Sequence, residues 1–135
     1  MNTGQFLNNF LKRNVSMFND DINNYSSLLN KSINNSTILV IGGAGTIGSS
    51  FIKSILKYKP NKIVVVDLNE NGLTELVRDI RSDLNYHISS EFYTYPMSYA
   101  SNVFDKMFHF HGPFDIVANF AAHKHVRSEK DIFSI

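Results

Sequence analysis

A run of glycines between a strand pattern and a helix pattern sets what this chain can fold into. Ile38-Leu39-Val40-Ile41 is short and wholly apolar, which suits a strand buried on both faces of a parallel sheet. It ends in Gly42-Gly43-Ala44-Gly45-Thr46-Ile47-Gly48, where Gly42, Gly45 and Gly48 have the spacing G-x-x-G-x-x-G. Ile47, Phe51, Ile52, Ile55 and Leu56 then recur at helical spacing. A strand that turns straight into a helix needs residues without a Cβ, and the helix must pack close to the strand. The N–H groups and positive dipole end of that helix then face any phosphate held against the turn, and the Thr46 hydroxyl adds a donor.

The rest of the chain extends the pattern. Pro60 is expected to stop the first helix, and Ile63-Val64-Val65-Val66 reads as a second buried strand ending at Asp67. Leu73, Leu76, Val77, Ile80 and Leu84 mark a second amphipathic helix. Glu91 to Tyr95 reads as a weaker strand, broken by Pro96. Val103, Phe104, Met107 and Phe108 mark a third helix that closes near Gly112-Pro113. Phe114 to Phe120 supplies a fourth strand, and a last helix is expected to begin near Val126. The order β-α-β-α-β-α-β implies right-handed crossovers and an α/β fold with a Rossmann-type parallel sheet of strand order 3-2-1-4. Residues 1–36 differ. They hold ten asparagines and no long apolar run. Phe6, Leu7, Phe10 and Leu11, then Ile22, Tyr25, Leu28 and Leu29, suggest two short helices, with Asn34-Asn35-Ser36 as a linker. The expected division is a helical leader over 1–36 and a nucleotide-binding half-domain over 37–135.

Asp67 gives the turn its chemistry. It lies nineteen residues after Gly48, close to the ~20 expected of an acid that holds a ribose. A carboxylate there accepts hydrogen bonds from the adenosine ribose hydroxyls and repels a 2′-phosphate. No Lys or Arg follows at 68–72. The expected cofactor is therefore NAD rather than NADP, bound by Gly42, Gly45, Thr46, Ile47, Gly48 and Asp67. A mononucleotide loop is the rival, since Gly43 to Ser50 nearly fits G-x-x-x-x-G-K-[ST]. Ser49 occupies the lysine position, which removes the main charge partner of the terminal phosphates.

Composition narrows the remaining classes. The net charge of +1 gives no electrostatic case for nucleic acid or an anionic membrane. The chain has no cysteine, so disulfides, thiolate chemistry and cysteine-based zinc sites are excluded. No run approaches the ~18 apolar residues of a membrane helix, and the first ten residues lack a secretory signal pattern. These features lead us to expect a soluble, cytoplasmic protein without a membrane span.

After the fourth strand the chain reads Asn119-Phe120-Ala121-Ala122-His123-Lys124-His125-Val126-Arg127-Ser128-Glu129-Lys130. This segment falls at the carboxyl edge of the sheet, where a dinucleotide crosses in doubly wound folds. Leu39 to Phe51 looks like the cofactor turn of the extended short-chain dehydrogenases. Ala121 to Val126, with Glu129, is similar to the Ala-Ala-x-Lys-His-Val segment of their polysaccharide-biosynthesis branch, which contains the UDP-N-acetylglucosamine 4,6-dehydratases. Val126 to Asp131 resembles one soluble subgroup of that branch, and Val15-Ser16-Met17-Phe18 resembles its leaders. The resemblance implies that Ala121 and Ala122 touch NAD, that Lys124 touches a nucleotide-sugar substrate, and that the whole is an NAD-dependent lyase of surface-polysaccharide synthesis. A homo-oligomer stays open. Two departures stand out: Ile41 replaces a frequent threonine, and Pro96-Met97-Ser98 replaces the usual adenine-holding aspartate, leaving a Met97 backbone contact in its place.

The family's reaction removes hydride from C4 of the sugar, eliminates water across C5–C6 and returns the hydride, with a Tyr-x-x-x-Lys pair as base. Tyr58-Lys59-Pro60-Asn61-Lys62 matches by letter, but Pro60 prevents one helical turn from carrying both side chains. Asp105-Lys106 reads as helix surface. His109 and His111 are two apart and so face different ways on a helix, and His123 and His125 lack carboxylates at ligand spacing, so no metal is assigned. No catalytic residue is assigned either. The base is expected beyond Ile135, which leaves this chain inactive alone. The alternatives are a nucleotide-sugar epimerase or reductase of the same superfamily, and a non-catalytic dinucleotide-binding module.

Overall fold

A computed structural model describes residues 10, 12, 16–83 and 91–122. The chain divides into two compact units, Met1–Ser32 and Ile33–Ile135. In the first, α1 spans Asn19–Asn24, and α2 begins at Ser26 and runs to Ile33. Where the sequence suggested one helix around Ile22 to Leu29, the chain breaks at Tyr25, whose φ and ψ of −98° and 7° leave the helical range. The helix expected around Phe6 to Leu11 lies almost wholly outside the described residues.

The second unit is a four-stranded parallel sheet: β1 (Thr37–Ile41), β2 (Lys62–Asp67), β3 (Glu91–Pro96) and β4 (Ile116–Asn119), in the order β3-β2-β1-β4. Its helices are α3 (Thr46–Leu56), α4 (Glu70–Ser82) and α5 (Asn102–His111). This is the Rossmann arrangement expected from the alternation of periods. β1 and β2 are central and read as unbroken apolar runs because both their faces are covered. Leu39, Ile41, Val64 and Val66 form one face with Met107 of α5, and Phe104, Phe108 and Phe114 pack against them. The alternate residues Ile38, Val40, Ile63 and Val65 point to the other face and are fully buried.

Local chemistry explains the ends. α3 stops at Leu56, before Pro60: Tyr58 and Lys59 N–H donate to Ile55 and Leu56 O, and Lys59 turns to a φ of +54°. Asn69 Oδ1 caps α4 by accepting from Gly72 N–H at 2.9 Å, and Ser101 Oγ caps α5 by accepting from Phe104 N–H at 3.2 Å. Pro96 ends β3 rather than preceding its end, pairing in register with Asp67. β3 is an edge strand, where the missing N–H costs no ladder bond. Asp115 fastens β4 to β1, its Oδ2 accepting from Thr37 N–H at 2.8 Å. Among the described residues no helix is long and apolar enough to cross a membrane.

Candidate functional site: a cleft at the carboxyl ends of the strands

Parallel strands bring all their carboxyl ends to one edge, and a cleft of about 400 Å³ opens there. From β1 and its turn come Ile41, Gly42, Ala44 and Gly45. The end of β2 gives Asp67, Leu68 and Asn69, that of β3 gives Met97, Ser98 and Tyr99, and that of β4 gives Phe120, Ala121 and Ala122. Segments far apart in sequence thus meet around one glycine turn.

The glycines of that turn do different work. Gly42 has a φ of +75°, and a Cβ on it would lie 2.5 Å from Ala121 N. The fold requires this glycine, because the loop after β4 presses against the turn. A Cβ on Gly43 would meet Val65 Cγ1 at 2.2 Å, and one on Gly48 would meet Gly42 O at 2.3 Å. Gly48 is buried beneath the turn and keeps α3 close to it. Gly45 is different. Its φ is −72°, open to any residue, and its nearest would-be contact is Gly42 O at an ordinary 3.5 Å. The protein itself therefore leaves room for a side chain there. The positive φ that a glycine turn demands sits at Gly42.

Gly45 also precedes α3 without offering a capping side chain, whereas α4 and α5 have theirs. Gly45 itself lines the cleft, and Thr46 and Ile47, which open α3 directly after it, are exposed, the latter 67% accessible. Asp67 holds the turn from the side. Its Oδ2 accepts from Ala44 N–H and its Oδ1 from Asn69 N–H, both at 2.9 Å. Asp67 lines the cleft, and each carboxylate oxygen keeps further acceptor capacity beyond these bonds. Asp67 does not cap α4; Asn69 does. On the β4 side Asn119 Oδ1 accepts from Ala121 N–H at 2.9 Å, and the Phe120 ring packs on Phe51 of α3 at 5.1 Å. This fixes Ala121 against Gly42.

Gly42, Gly45, Asp67, Ala121 and Ala122 therefore share the cleft. Thr46, Ile47 and Gly48 do not line it: the first two are exposed at the start of α3 and Gly48 is buried there, and Lys124 falls outside the described residues. Sequence reasoning passed over Ala44, Leu68, Asn69, Tyr99 and Phe120. An exposed leucine directly after the strand-ending acid was the readable signal for Leu68; the expected 3-2-1-4 order already set the end of β3 beside that of β2, but no residue pattern marks Tyr99 itself. Met97, the residue expected to offer a backbone contact, lines the cleft; its N–H donates to Asp67 O and Tyr95 O, each at 3.0 Å. Tyr58 and Lys62 stand on different elements, one past the end of α3 and the other in β2.

Comparison with known proteins agrees with this architecture. A 47-residue stretch is 47% identical to an uncharacterised membrane protein of Methanocaldococcus jannaschii, covering 35% of this chain and 14% of that protein. The capsular polysaccharide biosynthesis protein CapD of Staphylococcus aureus is 28% identical over 100 residues, 74% of this chain and 16% of its own. The chain thus spans about one sixth of the length of such relatives. Among solved structures, the Bordetella bronchiseptica enzyme WbmF, in complex with NAD+ and UDP, superposes with a TM-score of 0.56 at 24% identity, covering 76% of this chain and 27% of that one. Residues 38–133 match the family described as polysaccharide biosynthesis protein, and the chain belongs to that family.

Proposed function

We propose that this chain binds NAD in the cleft and forms the cofactor-holding part of a nucleotide-sugar 4,6-dehydratase acting on a UDP-N-acetylglucosamine-like substrate. The observation that carries the reading is Gly45. The protein's own packing would accept a side chain there, yet the residue is glycine at the point where the uncapped start of α3 meets the cleft. A pyrophosphate lying against that turn accounts for both facts. The donor set suits such a ligand: backbone N–H groups and the Thr46 hydroxyl for the phosphates, and Asp67 for the adenosine ribose. The complex of WbmF with NAD+ and UDP supports the same ligand class through a shared fold.

When bound, the nicotinamide supplies a site that takes hydride from the sugar and returns it. This chain's residues bind and orient. Gly45 and the start of α3 fix the pyrophosphate, Asp67 fixes the adenosine ribose, and Ala121 and Ala122 leave the backbone beside the nicotinamide half. Lys124 is proposed to meet the sugar nucleotide. The dehydratase reading rests on the Ala121 to Val126 segment. It is tested by supplying purified chain with NAD and UDP-N-acetylglucosamine, alone and joined to the remainder of a relative from the same family. The reading expects a 4-keto-6-deoxy sugar only from the joined protein. A joined protein that forms no such product, where the relative's own full-length enzyme does, would count against the reading.

A further inference from the structure

On the outer side of β3, away from the cleft, we infer a docking groove for an extended peptide that adds to the sheet as a further strand and carries an apolar side chain with a carboxylate two residues away. The groove shares no lining residue with the cleft, so the inference stands apart from the dinucleotide reading.

β3 is the outer strand of the sheet, and one bond fixes the direction of its backbone groups. Met97 N–H donates to Asp67 O, in step with the parallel register of β3 on β2. Successive residues of a strand turn their N–H and C=O to opposite sides. Tyr93 and Tyr95 therefore bond toward β2, while Phe92 and Thr94 direct both groups outward, where no described residue pairs with them. Pro96 belongs to the same outward set and blunts only the last position. An edge of this kind is a template for another strand.

The side chains say which strand fits. Phe92 and Thr94 are in register with Ile63 and Val65, so their side chains lie on the α4 face. There they line a cavity of about 130 Å³ with Val77, Ile80 and Arg81 of α4, the scale of one aliphatic side chain. Arg81 is exposed and has no ion-pair partner among the described residues, whereas Lys53, Lys62 and Arg78 each hold a carboxylate. Residues two apart on an added strand point to one face. An apolar side chain in the cavity and an acid two residues on thus answer the groove and its cation together. On the opposite face the ring of Tyr93, 38% exposed, packs on His111, as does the ring of Phe110, 82% exposed. A second copy of the chain fits less well. β3 against β3 would bring only Phe92 and Thr94 to the α4 face, because Glu91 lies on the other face with Lys62, and Arg81 would stay without an acid.

The test is fluorescence anisotropy of the full chain with a fluorescein-labelled peptide, Ser-Thr-Val-Thr-Glu-Thr-Ser. The inference expects saturable binding, weakened about fivefold by Arg81→Glu or by lysine in place of the peptide's glutamate, and restored when the two changes are combined. Methylating the N–H groups of alternate peptide residues should abolish binding for one alternation and spare it for the other. Thr94→Pro removes an outward N–H and no bond to β2, so it should abolish binding with the circular dichroism unchanged. No saturable binding by about 1 mM peptide, or binding indifferent to both charge reversals, would overturn the inference. Self-association of the chain, seen by sedimentation, that Thr94→Pro abolishes and Arg81→Glu does not would also overturn it, giving the edge to a second copy.

Discussion

Asp67 does three things with one carboxylate. It holds Ala44 N–H, it holds Asn69 N–H, and it lines the cleft. The spacing from Gly48 made the acid legible in the sequence. Its ties to the two turns were not, because they depend on how the end of β2 meets the loop after β1. Asp67→Ala therefore affects folding as well as binding. Two backbone donors lose their acceptor, which costs about 1–3 kcal/mol if they stay shielded from water, and NAD affinity falls with them. Denaturant unfolding beside NAD titration measures both; unchanged stability would mean that the ties carry no energy.

His111 makes a second residue-scale case. It is buried at the end of α5, with Nε2 2.7 Å from the Tyr95 hydroxyl and its ring 4.7 Å from that of Tyr93. Burial, with help from Lys62, pushes its pKa below the usual 6.5, while Glu91 pulls the other way. The folded chain then binds fewer protons than the unfolded one through the interval below 6.5. The stabilisation is fully present above that value and is lost as the pH falls through the folded pKa. Unfolding midpoints should drop between neutral and mildly acidic pH, and His111→Gln should flatten that slope. An equal slope in the variant would assign the effect elsewhere. From sequence His109 and His111 looked alike; only the packing of α5 buries one and exposes the other.

At the scale of elements, packing outweighs surface charge. Ile52 of α3 is fully buried against the sheet, near Val65 and Val40. Ile52→Ala should cost about 2–5 kcal/mol of stability. Lys53 and Asp79 join α3 to α4 at 2.9 Å, but both side chains are partly exposed, at 31% and 56%. Asp79→Ala should cost under ~1 kcal/mol. Urea denaturation of both variants tests the ranking, and a larger loss from Asp79→Ala would reverse it. The strands and long helices were readable because their apolar periods are unambiguous. Boundaries were less so. β3 was expected to stop at Tyr95 and includes Pro96, a one-residue extension that an edge strand tolerates and that strand periodicity does not mark. Tyr25 splits the expected leader helix through backbone angles that no spacing reveals.

Across the whole molecule, the parallel sheet converts four sequence-distant strand ends into one cleft, and the β1 turn stands at its centre. The sequence located that turn and the acid beside it. It did not separate the glycines by role, because spacing treats them alike while the fold does not. A Cβ on Gly42, Gly43 or Gly48 would meet protein atoms within 3 Å; one on Gly45 would meet none closer than 3.5 Å. Gly42→Ala should accordingly destabilise the chain, through both the left-handed φ and the contact with the loop after β4. Thermal unfolding checks it, and an unchanged midpoint would contradict the assigned packing.

Gly45→Val separates the demands of the ligand from those of the fold. The protein's own packing does not require glycine at this position; on the proposed reading, a dinucleotide pyrophosphate does. Calorimetric titration of the parent chain with NAD and NADP, and of Gly45→Val with NAD, should show NAD bound more tightly than NADP. The variant should keep the parent's circular dichroism and unfolding midpoint within narrow limits while its NAD affinity falls by about 100-fold or more, the scale of ~2.7 kcal/mol. A folded Gly45→Val chain that binds NAD as the parent does would refute the pyrophosphate assignment.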